Sequence, residues 1–282
     1  MQEGQASRTA DRVAERRAAH QVRDHPLVFE DPLALRIIRP EFARELRERP
    51  PANDSSPIAP YLRAFFAMRS RFAEDALREA VGRGVQQYVV LGAGFDTFAY
   101  RNPYPALRVF EVDHPATQAT KRERLASGEI TIPQSLTFVW IDFATTALSV
   151  ALRNAGFDAA ASAFFAWLGV VPYLERPAID QTLSFIASLP PGTAVVFDYS
   201  VPPESLSWMS RLVFHKMAKR VAAAGEPWKT FFDPGELLRH LHDLGFSNAE
   251  DFDGDALNRR FFAGRSDKLK VGAGGHMAMA SV

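Results

Sequence analysis

The chain has 282 residues, of which 47% are hydrophobic and 23% are charged, the composition of an ordinary soluble globular protein. Its 33 basic and 33 acidic residues give a formal net charge of zero, which argues against nucleic-acid binding through bulk positive charge. The absence of cysteine excludes disulfides, thiolate metal sites and a cysteine nucleophile.

The first residues are charged and contain no apolar segment of the kind found in signal peptides. The longest apolar stretch, residues 159–171, is too short to span a bilayer. We therefore expect a cytoplasmic protein with neither a membrane nor a nucleic-acid partner.

Helical patterns dominate the first third of the chain. Residues 9–21 and 61–81 carry apolar side chains at helical spacing. Residues 32–38 also predict a helix, with Asp31 as its cap and Pro32 at its first position. The proline-rich residues 50–57 predict a loop between these helices.

From residue 87 onward, short apolar runs alternate with helical segments. Runs that are apolar throughout are typical of parallel strands buried on both faces, and their alternation with helices predicts a doubly wound α/β sheet. The predicted strands are residues 87–91, 107–112, 136–141, 162–168 and 194–199.

The last third predicts helices over residues 204–224 and 234–244 and strands over residues 246–252 and 276–282, with residues 260–269 irregular. Because no long helical crossover is predicted between these two strands, we expect them to form an antiparallel edge on the sheet.

Polar and glycine residues follow three of the predicted strands, where ligands bind in such sheets. The first strand runs into Gly92, Ala93, Gly94 and Asp96, the second ends in Asp113, and the third ends in Asp142 and Phe143. Glycines allow a tight turn close to a ligand, Asp113 can accept ribose hydroxyls, and Asp142 with Phe143 can contact an adenine. Together these features predict an adenosine site.

S-adenosylmethionine is the adenosine cofactor that best fits this pattern. A dinucleotide site favours a third glycine, where this chain has Thr97, and Asp96 would repel a pyrophosphate. The same carboxylate suits a ligand with a positive sulfonium and amino group. The carboxylate of that ligand needs a cation, for which the preceding helix offers Arg69 or Arg71.

The chain resembles the leucine carboxyl methyltransferase family, and within it a bacterial branch of S-adenosylmethionine-dependent methyltransferases. The resemblance covers nearly the whole chain. The segments that carry it are residues 9–20 (TADRVAERRAAH), 26–34 (PLVFEDPLA), 88–101 (YVVLGAGFDTFAYR), 109–121 (VFEVDHPATQATK), 165–174 (FAWLGVVPYL), 225–228 (GEPW) and 244–246 (LGF).

This resemblance implies a class I methyltransferase fold, a Rossmann-like doubly wound sheet of seven strands whose last strand is antiparallel, with an N-terminal helical cap. It implies that residues 1–82 form the cap and the helix that binds the cofactor carboxylate. Residues 83–282 then form the methyltransferase core, with a helical insertion at about residues 201–230.

The resemblance also implies individual roles. By this resemblance, Arg69 is the residue expected to bind the methionine carboxylate, and Gly92 belongs to the loop beside the methionyl group. Asp113 is the residue expected to bind the ribose. Asp142 and Phe143 are similar to the adenine contacts. The family often has a glutamate near the end of the fourth strand, where this chain has a leucine, Leu168, and this departure argues against a protein-phosphatase substrate.

Three residues are candidates for contact with the methyl acceptor. Arg17 and His20, three apart on one helix, could meet an anionic acceptor, and Tyr173 follows the fourth strand. A carboxylate acceptor needs no base, whereas a hydroxyl does. No histidine–carboxylate cluster has metal-ligand spacing, so we expect no metal.

An apolar stripe marks the predicted insertion helix, and we expect it to pack in the core, with a pocket roof or a dimer contact as alternatives. Its members are Trp208, Met209, Val213, Phe214 and Met217.

The sequence therefore predicts an S-adenosylmethionine-dependent O-methyltransferase. Its expected partner is a small, partly apolar acceptor, for which a carboxylate is one candidate. An NAD-type oxidoreductase and a non-catalytic cofactor-binding protein are the alternatives.

Overall fold

A seven-stranded mixed sheet lies at the centre of the computed structural model, which describes residues 8–48, 57–141, 147–223 and 227–282. The strands lie in the order β3-β2-β1-β4-β5-β7-β6. In chain order they are β1 (Gln87–Leu91), β2 (Arg108–Asp113), β3 (Leu136–Trp140), β4 (Phe164–Trp167), β5 (Ala194–Ser200), β6 (Asn248–Phe252) and β7 (Gly275–Ser281).

Helices surround this sheet, and none in the described ranges is long and apolar enough to cross a membrane. In chain order they are α1 (Arg8–Arg23), α2 (Ala34–Ile37), α3 (Pro40–Glu48), α4 (Ala59–Gly82), α5 (Pro115–Ser127), α6 (Leu148–Asn154), α7 (Arg176–Ala187), α8 (Trp208–Ala222), α9 (Pro234–Asp243) and α10 (Gly254–Phe261).

The helix starts follow from local sequence. Asp233 and Asp253 precede α9 and α10, and the side chain of each accepts a hydrogen bond from a backbone N–H in the first turn of its helix. His114 caps α5 in the same way, and Pro115 occupies the first helical position, where a missing N–H costs nothing.

Strand β1 is buried along its whole length and pairs in parallel with β2 on one side and β4 on the other, so that Val89 lies between Phe110 and Phe165. The chain reverses its winding direction between β1 and β4. The carboxyl ends of these strands meet at this switch point, where ligands bind in sheets of this type.

Alternate strand residues pack on opposite faces of the sheet. Phe165 and Phe197 belong to the core that includes α6, α7 and α9, whereas Phe164 and Val196 face α4 and α10. A third apolar cluster joins α1, α2 and α3, with Phe95 as its contact to the loop after β1.

The predicted doubly wound sheet of seven strands with an antiparallel last strand is confirmed. The expected antiparallel edge is also present, because β7 pairs antiparallel with both β5 and β6, and β6 is the outermost strand. Helix α10 lies between the last two strands, in a stretch where no helix was expected. Its first turn is capped by Asp253 and its Leu257 is fully buried, which explains why this short segment is helical.

Candidate functional site

The loop after β1 turns on two glycines. Gly92 and Gly94 have φ angles of +65° and +47°, which side-chain-bearing residues rarely adopt. A Cβ on Gly92 would lie 2.3 Å from Cγ2 of Val170, so the packing also requires glycine. The N–H groups of Gly92 and Ala93 both donate to the carbonyl of Val112, at 2.8 and 3.1 Å, which fastens this loop to the end of β2.

Asp113 ends β2 beside this loop. Its carboxylate accepts the N–H of Gly94 at 2.5 Å and that of His114 at 2.6 Å. Burial raises the pKa of Asp113, and the two backbone N–H groups oppose that rise. A carboxylate has about four acceptor positions, so two remain for hydroxyl donors such as those of a ribose.

The end of β3 lies at the same place, because the N–H of Ile141 donates to the backbone carbonyl of Asp113 at 3.0 Å. The predicted adenine contacts Asp142 and Phe143 follow directly in the sequence, and both lie outside the described residues.

Asp96 and Thr97 support the turn that follows the glycines. The carboxylate of Asp96 accepts the N–H of Phe98 at 2.8 Å and opens a short 3₁₀ turn. Thr97, where a dinucleotide fold would favour glycine, is buried and donates its hydroxyl to Asp31 at 2.8 Å. The side chain at position 97 therefore has a structural partner.

Arg69 of α4 forms a buried ion pair with Asp198 of β5. Its Nη1 donates to Oδ2 of Asp198 at 3.0 Å, and the other carboxylate oxygen accepts the N–H of Gly169. The guanidinium also stacks on the ring of Phe66, at 4.7 Å from its centroid. By contrast, Arg71 is half-exposed and pairs with Asp75 of the same helix, so only Arg69 faces the site.

A cavity of about 490 Å³ opens beside Arg69 and Gly169. Most of its wall is apolar, and its side chains come mainly from α1, α4, β5, α8 and the segments on either side of α8. The apolar wall residues include Ile58, Leu62, Phe65, Phe66, Leu206, Met209, Val213, Phe214, Met217 and Trp228. The cavity meets the glycine loop through Val170, which follows Gly169 and contacts Gly92.

The predicted cofactor residues thus fall into two adjacent groups. Gly92, Gly94 and Asp113 form one group, and Arg69 lies in the wall of the cavity. In the described ranges, no group of three or more histidine, aspartate or glutamate side chains is arranged to hold a metal ion.

The predicted acceptor residues are only partly brought to the cavity. Tyr173 lines it, but Arg17 and His20 do not. Arg17 donates to Asp31 and to the carbonyl of Phe95, and His20 is fully buried beside Asp24.

The reason lies along α1. Arg17 lies one helical turn after Val13, and His20 lies one turn after Arg16, so each pair shares a face of the helix. At this later turn, the loop after β1 and residues 28–31 cover the helix. The residues of α1 that line the cavity are Thr9, Arg12, Val13 and Arg16.

The apolar stripe on α8 was expected to pack in the core, and most of it does not. Met209, Val213, Phe214 and Met217 line the cavity, which corresponds to the alternative of a pocket roof. Trp208 is 75% exposed. Asp198 was not predicted as a site residue, although a charged residue near the end of an apolar strand is a usable signal.

The arrangement fits S-adenosylmethionine on the chemistry of its donors and acceptors. Asp113 offers free acceptor positions beside a glycine turn, and Arg69 supplies a buried cation for a carboxylate. The half-buried Asp96 adds negative charge near the turn, which favours a cationic ligand over a pyrophosphate.

Similarity to known proteins supports the same cofactor. The family model described as leucine carboxyl methyltransferase matches residues 10–187. YktD of Bacillus subtilis (strain 168), assigned as an S-adenosyl-L-methionine-dependent methyltransferase, is 35% identical over 96% of this chain and 96% of its own length. A protein of Mycobacterium bovis (strain BCG / Pasteur 1173P2) with the same assignment is 30% identical over 78% of this chain and 64% of its own length.

Solved structures share the fold at low sequence identity. A structure from Thermobifida fusca YX, assigned as a methyltransferase, covers 99% of this chain and 96% of that chain with a TM-score of 0.59 and 18% identity. A DUF574 family protein from Streptomyces avermitilis MA-4680 covers 79% and 84% with a TM-score of 0.53 and 17% identity.

Of the three functions that the sequence left open, the family relationship selects the methyltransferase over the NAD-type oxidoreductase and the non-catalytic binding protein. The chain belongs to the leucine carboxyl methyltransferase family and is an S-adenosylmethionine-dependent methyltransferase.

Proposed function

We propose that the protein is an O-methyltransferase that methylates a small, partly apolar acceptor, and that this acceptor is a carboxylic acid. The observation that carries the proposal is the set of charged side chains in the cavity wall. Among the described residues this wall has three arginines, Arg12, Arg16 and Arg69, a single carboxylate, Asp198, and no histidine.

Two described wall residues that could act as a general base, Asp198 and Tyr199, are both engaged in other contacts. Asp198 is held by Arg69 and by the N–H of Gly169. Tyr199 donates its hydroxyl to Asp251 at 2.6 Å, and burial together with that carboxylate raises the pKa of Tyr199, so it keeps its proton at neutral pH. An acceptor that is already ionised suits such a site, because a carboxylate needs no base at pH 7.

The cofactor residues have separate roles in this proposal. Asp113 would accept the ribose hydroxyls, the backbone from Gly92 to Gly94 would approach the methionyl group, and Arg69 would bind its carboxylate. Asp96 would lie near the positive groups, and Asp142 with Phe143 would contact the adenine. When bound, S-adenosylmethionine supplies a methyl group on a positive sulfur, with a thioether as leaving group that needs no proton.

The cavity wall would exclude water around the acceptor. Phe65, Phe66, Phe214 and Trp228 give large apolar surfaces, and a carboxylate loses its hydration when it enters among them. The excess of arginines would compensate that loss, because charge interactions are stronger where water is excluded. Arg12, Arg16 and Tyr173 are the wall residues that we propose as acceptor contacts.

The proposal is tested with matched acceptors. The purified protein is incubated with S-adenosylmethionine and either an aliphatic carboxylic acid or the primary alcohol with the same carbon skeleton, and S-adenosylhomocysteine release is measured. We expect turnover of the acids only. Because carboxylates are ionised from about pH 5 upward, the rate should stay flat between about pH 6 and about pH 9. Methylation of the alcohols without the acids, or a rate that rises through neutral pH, would contradict the proposal.

A further inference from the structure

A buried carboxylate, Asp31, joins the N-terminal cap to the loop after β1. Its side chain is fully buried. Oδ2 accepts Nε of Arg17 at 2.8 Å and the hydroxyl of Thr97 at 2.8 Å, while Oδ1 accepts the N–H of Leu33 at 3.1 Å. Nε of Arg101 lies 3.6 Å from Oδ1. One carboxylate therefore connects α1, the segment before α2, and the turn that follows the glycines.

Arg17 extends this connection to the glycine loop itself. Its Nη2 donates to the carbonyl of Phe95 at 2.6 Å. Phe95 directly follows Gly94, whose N–H donates to Asp113. Helix α1 also packs on this loop, because a Cβ on Gly94 would lie 3.2 Å from Cβ of Ala10. Contacts from α1 therefore hold the loop conformation that orients Gly94 toward Asp113.

Arg101 carries the network to α4. It donates to both carboxylate oxygens of Glu74 and, through Nε, to the hydroxyl of Thr97 at 3.2 Å. Burial raises the pKa of Glu74, and Arg101 opposes that rise. Helix α4 also carries Arg69, so the network touches both halves of the site.

A buried charged network of this kind tolerates little change. Removing one member leaves its buried partners charged and unpaired, so we expect the structure to shift toward new partners. In this network, the backbone that would shift is the glycine loop, because Arg17 and Thr97 hold it on either side of Asp96.

We propose that Asp31 and Arg17 are positioning residues for S-adenosylmethionine: from the cap, they fix the loop backbone so that Gly94 and Asp113 keep the geometry that receives the cofactor. Pre-organisation of a binding loop raises affinity because the free protein need not order it on binding. The cap is then a part of the cofactor site as well as a wall of the acceptor cavity. By reciprocity, a bound cofactor stabilises the cap.

The chain offers a matched control for this idea. Asp24 is also a buried carboxylate of the cap, with hydrogen bonds from Arg63 at 2.9 and 3.0 Å and a contact to His20 at 2.9 Å. In the described part of the chain, none of its hydrogen bonds reaches the loop after β1. Asp24→Asn therefore disturbs a cap network of similar burial without touching Thr97 or the glycine loop.

Asp31→Asn and Asp24→Asn are compared by calorimetric titration with S-adenosylhomocysteine and by thermal unfolding. We expect both variants to unfold at lower temperature and only Asp31→Asn to bind S-adenosylhomocysteine at least about tenfold more weakly. Arg17→Gln should behave like Asp31→Asn. Equal loss of affinity in the Asp24 and Asp31 variants, or unchanged affinity in Asp31→Asn, would overturn the proposal.

Thr97 provides a test that does not depend on a folded Asp31 variant. Thr97→Ser keeps the hydroxyl that Asp31 accepts, and Thr97→Val keeps the shape without the donor. We expect the serine variant to bind S-adenosylhomocysteine like the wild type and the valine variant to bind several-fold more weakly. Equal affinities would contradict the proposal. These titrations contain no acceptor, so their outcome is separate from the proposal that the acceptor is a carboxylic acid.

Discussion

Glu111 of β2, two residues before Asp113, forms a fully buried ion pair with Lys121 of α5. Nζ of Lys121 lies 2.7 Å from Oε2 of Glu111, which also accepts the hydroxyl of Tyr100 at 3.2 Å. Both side chains are 1% exposed. Burial raises the pKa of Glu111 to about 7, although the nearby Lys121 lowers it. The pair therefore changes its charge within the physiological pH range.

The sign of the pH effect follows from this raised pKa. The folded protein holds the Glu111 proton more tightly than the unfolded chain, whose glutamates titrate near the ordinary value of 4.5. This contribution to stability is fully present below that ordinary value and is lost as the pH rises through about 7. Above that point the pair with Lys121 is ionised, and the loss levels off.

Lys121→Met removes the charge and keeps an unbranched apolar stem. Without Lys121, the pKa of Glu111 rises further, so the folded variant keeps its proton at a pH where the wild type has ionised. While only the unfolded chain is ionised at Glu111, each pH unit lowers the free energy of unfolding by about 1.4 kcal/mol. Between about pH 7 and about pH 8.5, the free energy of unfolding should therefore fall by about 2 kcal/mol more in the variant than in the wild type. Between about pH 5.5 and about pH 7 the two proteins should lose similar amounts.

Urea unfolding followed by circular dichroism measures this difference, with midpoints taken at about pH 5.5, 7 and 8.5. The double variant Glu111→Gln with Lys121→Met is the control and should lose most of the pH dependence in this range. Parallel midpoint curves for the wild type and Lys121→Met would refute the reasoning, because they would mean that Lys121 does not govern the ionisation of Glu111.

Three further outcomes are expected. Asp113→Ala should weaken S-adenosylhomocysteine binding roughly a hundredfold in a calorimetric titration, since two charged hydrogen bonds are lost; a change below about threefold would count against the ribose role. Gly169→Ala places a Cβ 2.8 Å from the guanidinium nitrogens of Arg69 and should raise the KM for S-adenosylmethionine, whereas Gly264→Ala, which has the same φ of +72° in open space, should lower only the thermal stability. Tyr199→Phe should destabilise the fold by about 1–2 kcal/mol in urea unfolding and leave the pH profile of methyl transfer unchanged, and an altered profile would show that this phenol takes part in proton transfer.

The parallel part of the fold follows well from sequence, because strands buried on both faces are apolar throughout. Residues 194–199 were predicted as a strand, and β5 is Ala194–Ser200. Helix α3 was not predicted, since Pro40–Glu48 is mostly charged and buries only two side chains. The place of β7 between β5 and β6 also could not be read from sequence, because strand order depends on pairing between distant segments.

The same distinction applies to the site. The glycine loop and Asp113 could be placed together because parallel strand ends meet at one edge of a sheet, and the hydrogen bond from Gly94 agrees with this. The hydrogen-bond network around Asp31 could not be predicted. Asp31 meets Thr97 across 66 residues and Arg17 meets Phe95 across 78, and such buried polar contacts leave no periodic pattern in the sequence.

The interior position of β7 bears on how the protein is made. Among the described strands, β6 reaches the sheet only through β7, and Tyr199 of β5, Asp251 of β6 and His276 of β7 share one buried hydrogen-bonded cluster. During translation, we therefore expect the edge of β5 that pairs with β7 to stay unpaired until residues 275–281 have left the ribosome. We expect a nascent chain stalled before that point to self-associate through the unpaired edge of β5. Pairing of β7 with β5 would then remove this risk of aggregation.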